Sequence, residues 1–198
     1  MEEKLKLNVK TTLLVSLSLV TWGAFSEVFN STVQNILVER LGNSETFKGV
    51  IMSAGNVMAL VLFPLFGVLS DRTASRFGKR KPYILAGGFL TAFSLMGALF
   101  FANTYSTAGF SGFIILALFG MSVNRPAAFA IIPDLTPKPL NSEANALKGV
   151  VLSAGGFAVT LLIIIFGTDF TAVYSGSVAL MLVSLIVFAV FVKENKLL

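Results

Sequence analysis

Long apolar stretches separated by short polar breaks run through the whole chain. Six of them reach the roughly 20 residues that a helix needs to cross the hydrocarbon core of a bilayer. The predicted helices span residues 11–38, 46–70, 83–102, 110–133, 144–167 and 172–192. The breaks contain turn residues, among them Gly42, Asn43 and Pro82. The pattern predicts an all-α integral membrane protein with a single six-helix domain over residues 1–198.

Composition agrees with this fold and narrows the chemistry. Charged residues make up 13% of the chain, whereas a soluble domain carries about 25%, so a lipid bilayer is the expected surrounding. The sequence contains no Cys and no His. Their absence excludes disulfides, the usual zinc ligands and an imidazole base. We expect no metal site, no cofactor and no enzymatic activity.

The distribution of Lys and Arg predicts the orientation, because cytoplasmic loops are enriched in both. With the N-terminus inside, twelve of the 15 basic residues are cytoplasmic, and only Arg40 and Lys48 lie outside. Both termini are therefore predicted to be cytoplasmic. This bias accounts for the net charge of +5, so we expect no nucleic-acid partner. The cytoplasmic set is Lys4, Lys6, Lys10, Arg72, Arg76, Lys79, Arg80, Lys81, Lys138, Lys148, Lys193 and Lys196.

Two segments 100 residues apart are similar to each other. Residues 48–55 read KGVIMSAG and residues 148–155 read KGVVLSAG. They belong to predicted helices two and five, which cross the membrane in opposite directions. We interpret them as a 3+3 inverted repeat with units near residues 8–104 and 105–193. Chance similarity between helices rich in Gly, Ala and Val is the alternative, which the matched Lys and Ser disfavour.

The loop after the second helix combines Gly, Asp and basic residues. Residues 67–82 read GVLSDRTASRFGKRKP. Gly67 would let a neighbouring helix approach closely. Asp71, at a helix end, could pair with a basic residue or with the N-terminus of an adjacent helix. The basic run is expected to contact anionic headgroups. A plain cytoplasmic loop would also be basic, but it would not require the Gly/Asp/Gly spacing.

This loop resembles the signature loop of the major facilitator superfamily, in the longer form of the sucrose-transporter and glycoside–cation symporter branch. Residues 124–146, NRPAAFAIIPDLTPKPLNSEANA, are similar to the end of helix four and the next loop in bacterial sucrose-type carriers. The resemblance implies the N-terminal half of that fold, transport of a small polar solute such as a sugar, and a bacterial cytoplasmic membrane. It also implies signature-loop and gating roles for Gly67, Asp71, Arg72, Gly78, Arg80 and Asp134.

Arg125 lies inside the fourth predicted helix. A charge is costly there, so we expect it to face the bundle interior or a water-filled cavity. We interpret Arg125 as a ligand for a substrate hydroxyl or carboxylate, or as the partner of a coupling acid. The alternatives are a structural ion pair and a side chain that reaches the headgroups. Asn124, the preceding residue, is included in the predicted site.

Helix one carries the candidate coupling acid. Glu27 lies near its middle, and a buried carboxyl group can exchange a proton near neutral pH. Permanent pairing, or an interior position without function, is the alternative for Glu27. Asn56 could either bind the solute or join helices, and packing is the commoner role for Trp22. The polar stripe that we expect to line a cavity, at helical spacing, consists of Gly23, Glu27, Asn30, Ser31 and Gln34.

Together these features predict one half of a secondary active sugar symporter, driven by H⁺ or Na⁺ and working by alternating access. Its partner would be a second six-helix half or, in a parallel homodimer, another copy of this chain. A membrane bundle that acts as a scaffold without transport is the alternative. A six-helix channel is less favoured, since the paired Asn-Pro-Ala boxes of water channels are absent.

Overall fold

The computed structural model describes residues 7–73, 75–167, 169–192 and 194. Over these residues the chain forms six helices, each long and apolar enough to cross a membrane. Their ends differ from the predicted ends by no more than three residues, so the predicted all-α fold is confirmed. Lys4, Lys6, Lys193 and Lys196 lie outside the described residues. The helices are α1 (Val9–Arg40), α2 (Glu45–Arg72), α3 (Lys81–Asn103), α4 (Thr107–Leu135), α5 (Asn141–Phe166) and α6 (Phe170–Phe191).

Short polar residues begin four of these helices, including α1, where Asn8 accepts from the amide of Thr11. Ser44 accepts a hydrogen bond from the amide of Phe47 at the start of α2, and Ser106 has the same role at the start of α4. Asp169 accepts from two amides of the first turn of α6, at 3.0 and 3.2 Å. Such side chains bond the amides that a helix start leaves without a partner. Their positions explain why the breaks in the apolar pattern mark the helix ends.

The winding of α1 is irregular. It is α-helical over Val9–Ser16 and Val20–Glu27, with a 3₁₀ turn between them. From Val28–Val33 and again from Ile36–Arg40 it is wound as a π-helix. A π-helix bonds residue i to i+5, so side chains beyond Glu27 do not keep the spacing of an ordinary α-helix. This winding changes which side chains of α1 share a face.

Two helix pairs approach closely where glycines meet. A Cβ on Gly87 of α3 would lie 2.5 Å from the carbonyl oxygen of Gly120 on α4. A Cβ on Gly23 of α1 would overlap the Leu152 carbonyl of α5. Any larger side chain would therefore push these helices apart. These contacts pack α3 closely against α4 and α1 closely against α5.

Two helices, α2 and α5, are peripheral. Only 6% of the apolar window of α2 and 11% of that of α5 is buried, against 61% for α1. α2 packs on α4, and α5 packs on α1. Their remaining faces carry exposed apolar residues such as Leu60 and Ile164. The expectation that Gly67 admits a neighbouring helix is not met within the described chain, because open space surrounds it.

Each outer helix thus packs on the first helix of the other predicted repeat unit. The inverted repeat, its unit boundaries and the inside position of both termini stay predictions. We call the end of the bundle where α1, α3 and α5 begin and α2, α4 and α6 end the basic end.

Candidate functional site

A cavity of about 260 Å³ lies between α1, α2 and α4. Its walls combine aromatic rings with amide, hydroxyl and guanidinium groups, and they contain no carboxylate among the described residues. The lining residues are Trp22, Phe25, Ser26, Phe29, Asn30, Met52, Gly55, Asn56, Ala59, Phe63, Leu118, Met121, Ser122 and Arg125. A concave site with a few convergent polar groups is typical of a small-molecule site.

Arg125 is the charged residue of this cavity. It lies ten residues before the end of α4, or about 15 Å from the basic end along the helix. Its guanidinium carbon lies 4.0 Å from the ring centroid of Trp22, 4.9 Å from that of Phe63 and 5.5 Å from that of Phe129. Among the described residues it makes no ion pair and no side-chain hydrogen bond. The Arg125 guanidinium is therefore stabilised by aromatic rings, and its N–H groups remain available to bond a ligand.

Three of the six residues predicted to bind solute line the cavity: Asn30, Asn56 and Arg125. The Asn30 amide donates to the Ser26 carbonyl at 2.8 Å, which leaves the Asn30 side-chain oxygen free to accept. Asn56 lies on α2, across the cavity from α1. These amides and Arg125 could bond the hydroxyl groups of one solute.

Glu27 and Gln34 are not among the lining residues. Glu27 accepts a hydrogen bond from Ser31 at 2.8 Å, and Gln34 donates to the Asn30 carbonyl at 2.7 Å. Glu27 lies in the α-helical part of α1, where the face that lines the cavity carries Trp22 and Ser26 instead. Gln34 lies beyond Val28, where α1 is π-wound and regular spacing no longer applies. The roles of Glu27 and Gln34 in binding, and of Glu27 in coupling, stay predictions.

Asn124 lies fully buried at the contact between α3 and α4, away from the cavity lining. Its amide donates to the Ile84 carbonyl at 2.7 Å. This bond joins two helices, so Asn124 has a structural contact, and its solute-binding role stays a prediction.

Several lining residues were not predicted. The sequence favours packing for Trp22, yet its ring lies against Arg125 in the cavity wall. Ser26, one turn before Asn30, and Ser122, three residues before Arg125, could have been found from helical spacing. Phe63 could not, because its approach to Arg125 depends on how α2 packs on α4.

A second polar cluster closes the basic end. Arg80 forms ion pairs with Asp71 at 2.7 Å and with Asp134 at 2.6 Å, and it donates to the Ser70 hydroxyl at 3.3 Å. The predicted partner of Asp71 was either a basic residue or the N-terminus of a helix, and in the structure it is the basic residue Arg80. The cluster joins the ends of α2 and α4 to the start of α3. Arg72 is exposed beside it.

Glu194 caps the start of α3. Its carboxylate accepts from the backbone amides of Lys79, Arg80 and Lys81 at 3.0 to 3.2 Å. Gly78, at φ +110°, leaves room for this carboxylate, because a Cβ there would overlap it. The ammonium of Lys81, at the start of α3, also donates to the carbonyls of Ala189 and Val192 at the end of α6, each at 2.6 Å.

This arrangement corrects one expectation for the basic run. Arg80 and Lys81 are buried within the bundle and bonded to protein groups. They are therefore not headgroup anchors, whereas Arg72 and Lys79 are exposed and remain candidates for that role. Glu194 was not predicted, since no sequence spacing relates it to residues more than 110 positions earlier.

Comparison with known proteins places the chain in a family. The Major Facilitator Superfamily model matches residues 13–197. Sucrose transport protein SUC3 of Arabidopsis thaliana is 26% identical over 164 residues, covering 73% of this chain and 27% of that protein. Sucrose transport protein SUT4 of Oryza sativa subsp. indica is 28% identical over 138 residues, covering 60% and 23%.

A third relative, the general alpha-glucoside permease of Schizosaccharomyces pombe, is 38% identical over 55 residues, covering 28% of this chain and 10% of that protein. The chain spans about a quarter of the length of the two sucrose transport proteins. No solved structure matches it significantly. The family match extends from α1 past the end of α6 and includes both the cavity and the cluster at the basic end. The chain is therefore a member of the Major Facilitator Superfamily.

Proposed function

We propose that this chain is one half of a secondary active transporter and that its cavity binds a sugar. The observation that carries the proposal is the cavity itself, where Trp22, Asn30, Asn56 and Arg125 meet within a membrane bundle. Aromatic faces pack on sugar rings, and amides and guanidinium groups bond hydroxyls. The names of the relatives, sucrose transport proteins and an alpha-glucoside permease, support a saccharide as the solute.

Transport by alternating access needs a second six-helix half that completes the site. The open apolar faces of α2 and α5 support such a partner, since they would be covered by it. The partner is either a separate half or a second copy in a parallel homodimer. A charged cluster such as Arg80 with Asp71 and Asp134 would then act in gating, together with the loop residues Gly67, Arg72 and Gly78.

Coupling to an ion belongs to the same proposal. Glu27 lies on α1 next to the cavity-lining Ser26, and it is the residue proposed to carry the coupling. H⁺ is the favoured ion and Na⁺ the alternative, in symport with sugar. We propose a bacterial cytoplasmic membrane from the resemblance of residues 124–146 to bacterial carriers, although the named relatives come from plants and fission yeast.

Sugar binding can be measured through Trp22, which is the only tryptophan of the chain and lies in the cavity wall. We expect sucrose to change its fluorescence saturably when the purified chain is held in lipid nanodiscs. Asn56→Ala should weaken binding several-fold. Thr160→Ala is the matched control, because Thr160 bonds the Gly156 carbonyl and lies outside the lining. No saturable response to sucrose or to an alpha-glucoside would favour the scaffold alternative.

A further inference from the structure

A second cation lies next to Arg125. The ammonium of Lys148, on α5, lies 5.2 Å from the ring centroid of Phe129. The same ring has the Arg125 guanidinium at 5.5 Å. Lys148 is seven residues into α5, or about 10 Å from the basic end, so it is somewhat nearer that end than Arg125. The two cations therefore lie at successive depths between the basic end and the cavity.

Neither cation has an acidic partner among the described residues. Two other basic residues of the bundle do: Arg80 has two aspartates, and Lys48 pairs with Glu45. Lys48 is informative because it holds the position in α2 that Lys148 holds in α5, in the two similar segments. A partly buried charge without a counter-charge is unfavourable, and two of the same sign near one ring add repulsion. An anion in the cavity would relieve both costs.

We propose that Arg125 and Lys148 make the cavity selective for acidic sugars, whose ring carries a carboxylate or a phosphate. The proposal rests on the proposed function, since it names the class of sugar bound there. Asn30 and Asn56 bond the hydroxyl groups, and Arg125 bonds the acidic group directly, as guanidinium groups do with carboxylates and phosphates. Lys148 lies outside the cavity lining, next to Phe129, and acts on the occupant through its charge alone.

A matched pair of ligands tests the charge alone. Methyl β-D-glucuronide and methyl β-D-glucoside differ by a carboxylate in place of a hydroxymethyl group, and Trp22 fluorescence reports the binding of each. In nanodiscs of uncharged lipid we expect the glucuronide to bind about tenfold more tightly, with the preference shrinking as salt is raised. Glucose 6-phosphate, against glucose, distinguishes phosphate from carboxylate as the acidic group.

Substitutions of Lys148 test whether its charge causes the preference for the glucuronide. Lys148→Gln should reduce the glucuronide preference to about threefold while the glucoside affinity stays within twofold. Lys148→Arg should retain the preference, which separates charge from packing if Lys148→Gln unfolds the bundle. Lys48→Gln is the control and should leave the preference unchanged.

Two results would overturn the proposal. Equal binding of acidic and neutral sugars by the wild-type chain would remove the acidic-sugar assignment and leave the sugar site intact. Binding of no sugar at all, sucrose included, would remove the proposed function and this inference with it.

Discussion

Single residues decide whether the cavity can be a binding site, and Arg125 is the clearest case. Each cation–π contact contributes about 0.5–2 kcal/mol, whereas a charge near the centre of a membrane helix costs about 2.5–3.5 kcal/mol even on insertion scales. Three such contacts together are similar in size to that cost, but they satisfy none of the guanidinium's hydrogen bonds. A polar occupant, sugar or water, supplies what the protein does not.

Removing the guanidinium should therefore remove binding and leave the fold intact. We expect Arg125→Ala to abolish measurable sugar binding in nanodiscs by calorimetry, and to keep the wild-type elution profile in size-exclusion chromatography. Lys79→Ala, which removes an exposed cation at the basic end, should bind as the wild type does. Unchanged affinity in Arg125→Ala would exclude Arg125 from the site.

Glu27 tests coupling separately from binding. Glu27→Gln keeps the shape and the hydrogen bond from Ser31 but cannot release a proton. In proteoliposomes that transport sugar, the variant should retain sugar exchange and lose uphill accumulation driven by a pH gradient. Glu39→Gln, an exposed acid at the far end of the same helix, should accumulate normally. Full accumulation by Glu27→Gln would assign coupling to another residue.

At the level of helices, the sequence predicts where elements lie better than which side chains they bring together. Apolar stretches and the turn residues between them located all six helices within three residues. Arg125 was predictable because a charge in an apolar helix must face inward. The face of α1 was predicted one residue off, at Glu27 instead of Ser26, and the π-winding after Glu27 leaves no signal in the apolar pattern. Glu194 was not predictable, because its contact depends on the docking of α6 against α3.

Helix docking at the basic end can be tested through that cap. Glu194→Gln weakens three bonds from backbone amides and removes a charge at the start of α3, so we expect a loss of about 1–3 kcal/mol in stability. The apparent Tm in detergent should fall by several degrees, as followed by size-exclusion chromatography after heating. Glu143→Gln, an exposed acid in the first turn of α5, is the control. An unchanged Tm in Glu194→Gln would show that the cap adds nothing to stability.

At the level of the whole molecule, the burial of the helices is uneven. The apolar windows of α1, α3, α4 and α6 are 44–61% buried, whereas those of α2 and α5 are only 6% and 11% buried. Lipid can cover apolar side chains, but the cavity wall that α2 contributes also contains Asn56, which lipid cannot hydrogen-bond. A protein partner that covers the exposed faces of α2 and α5 would also shield this wall from lipid.

If the chain acts alone, that partner is a second copy in the same orientation. The halves of a major facilitator transporter are related by an axis along the membrane normal, and the bias of basic residues gives every copy one orientation. We expect native mass spectrometry from mild detergent to detect a dimer. Gly67→Cys should cross-link between copies, since Gly67 lies on α2 with open space beside it and the chain has no other Cys. Val183→Cys, on the exposed face of α6, should not cross-link. A monomer without cross-links at position 67 would exclude the homodimer and favour a separate half as the partner.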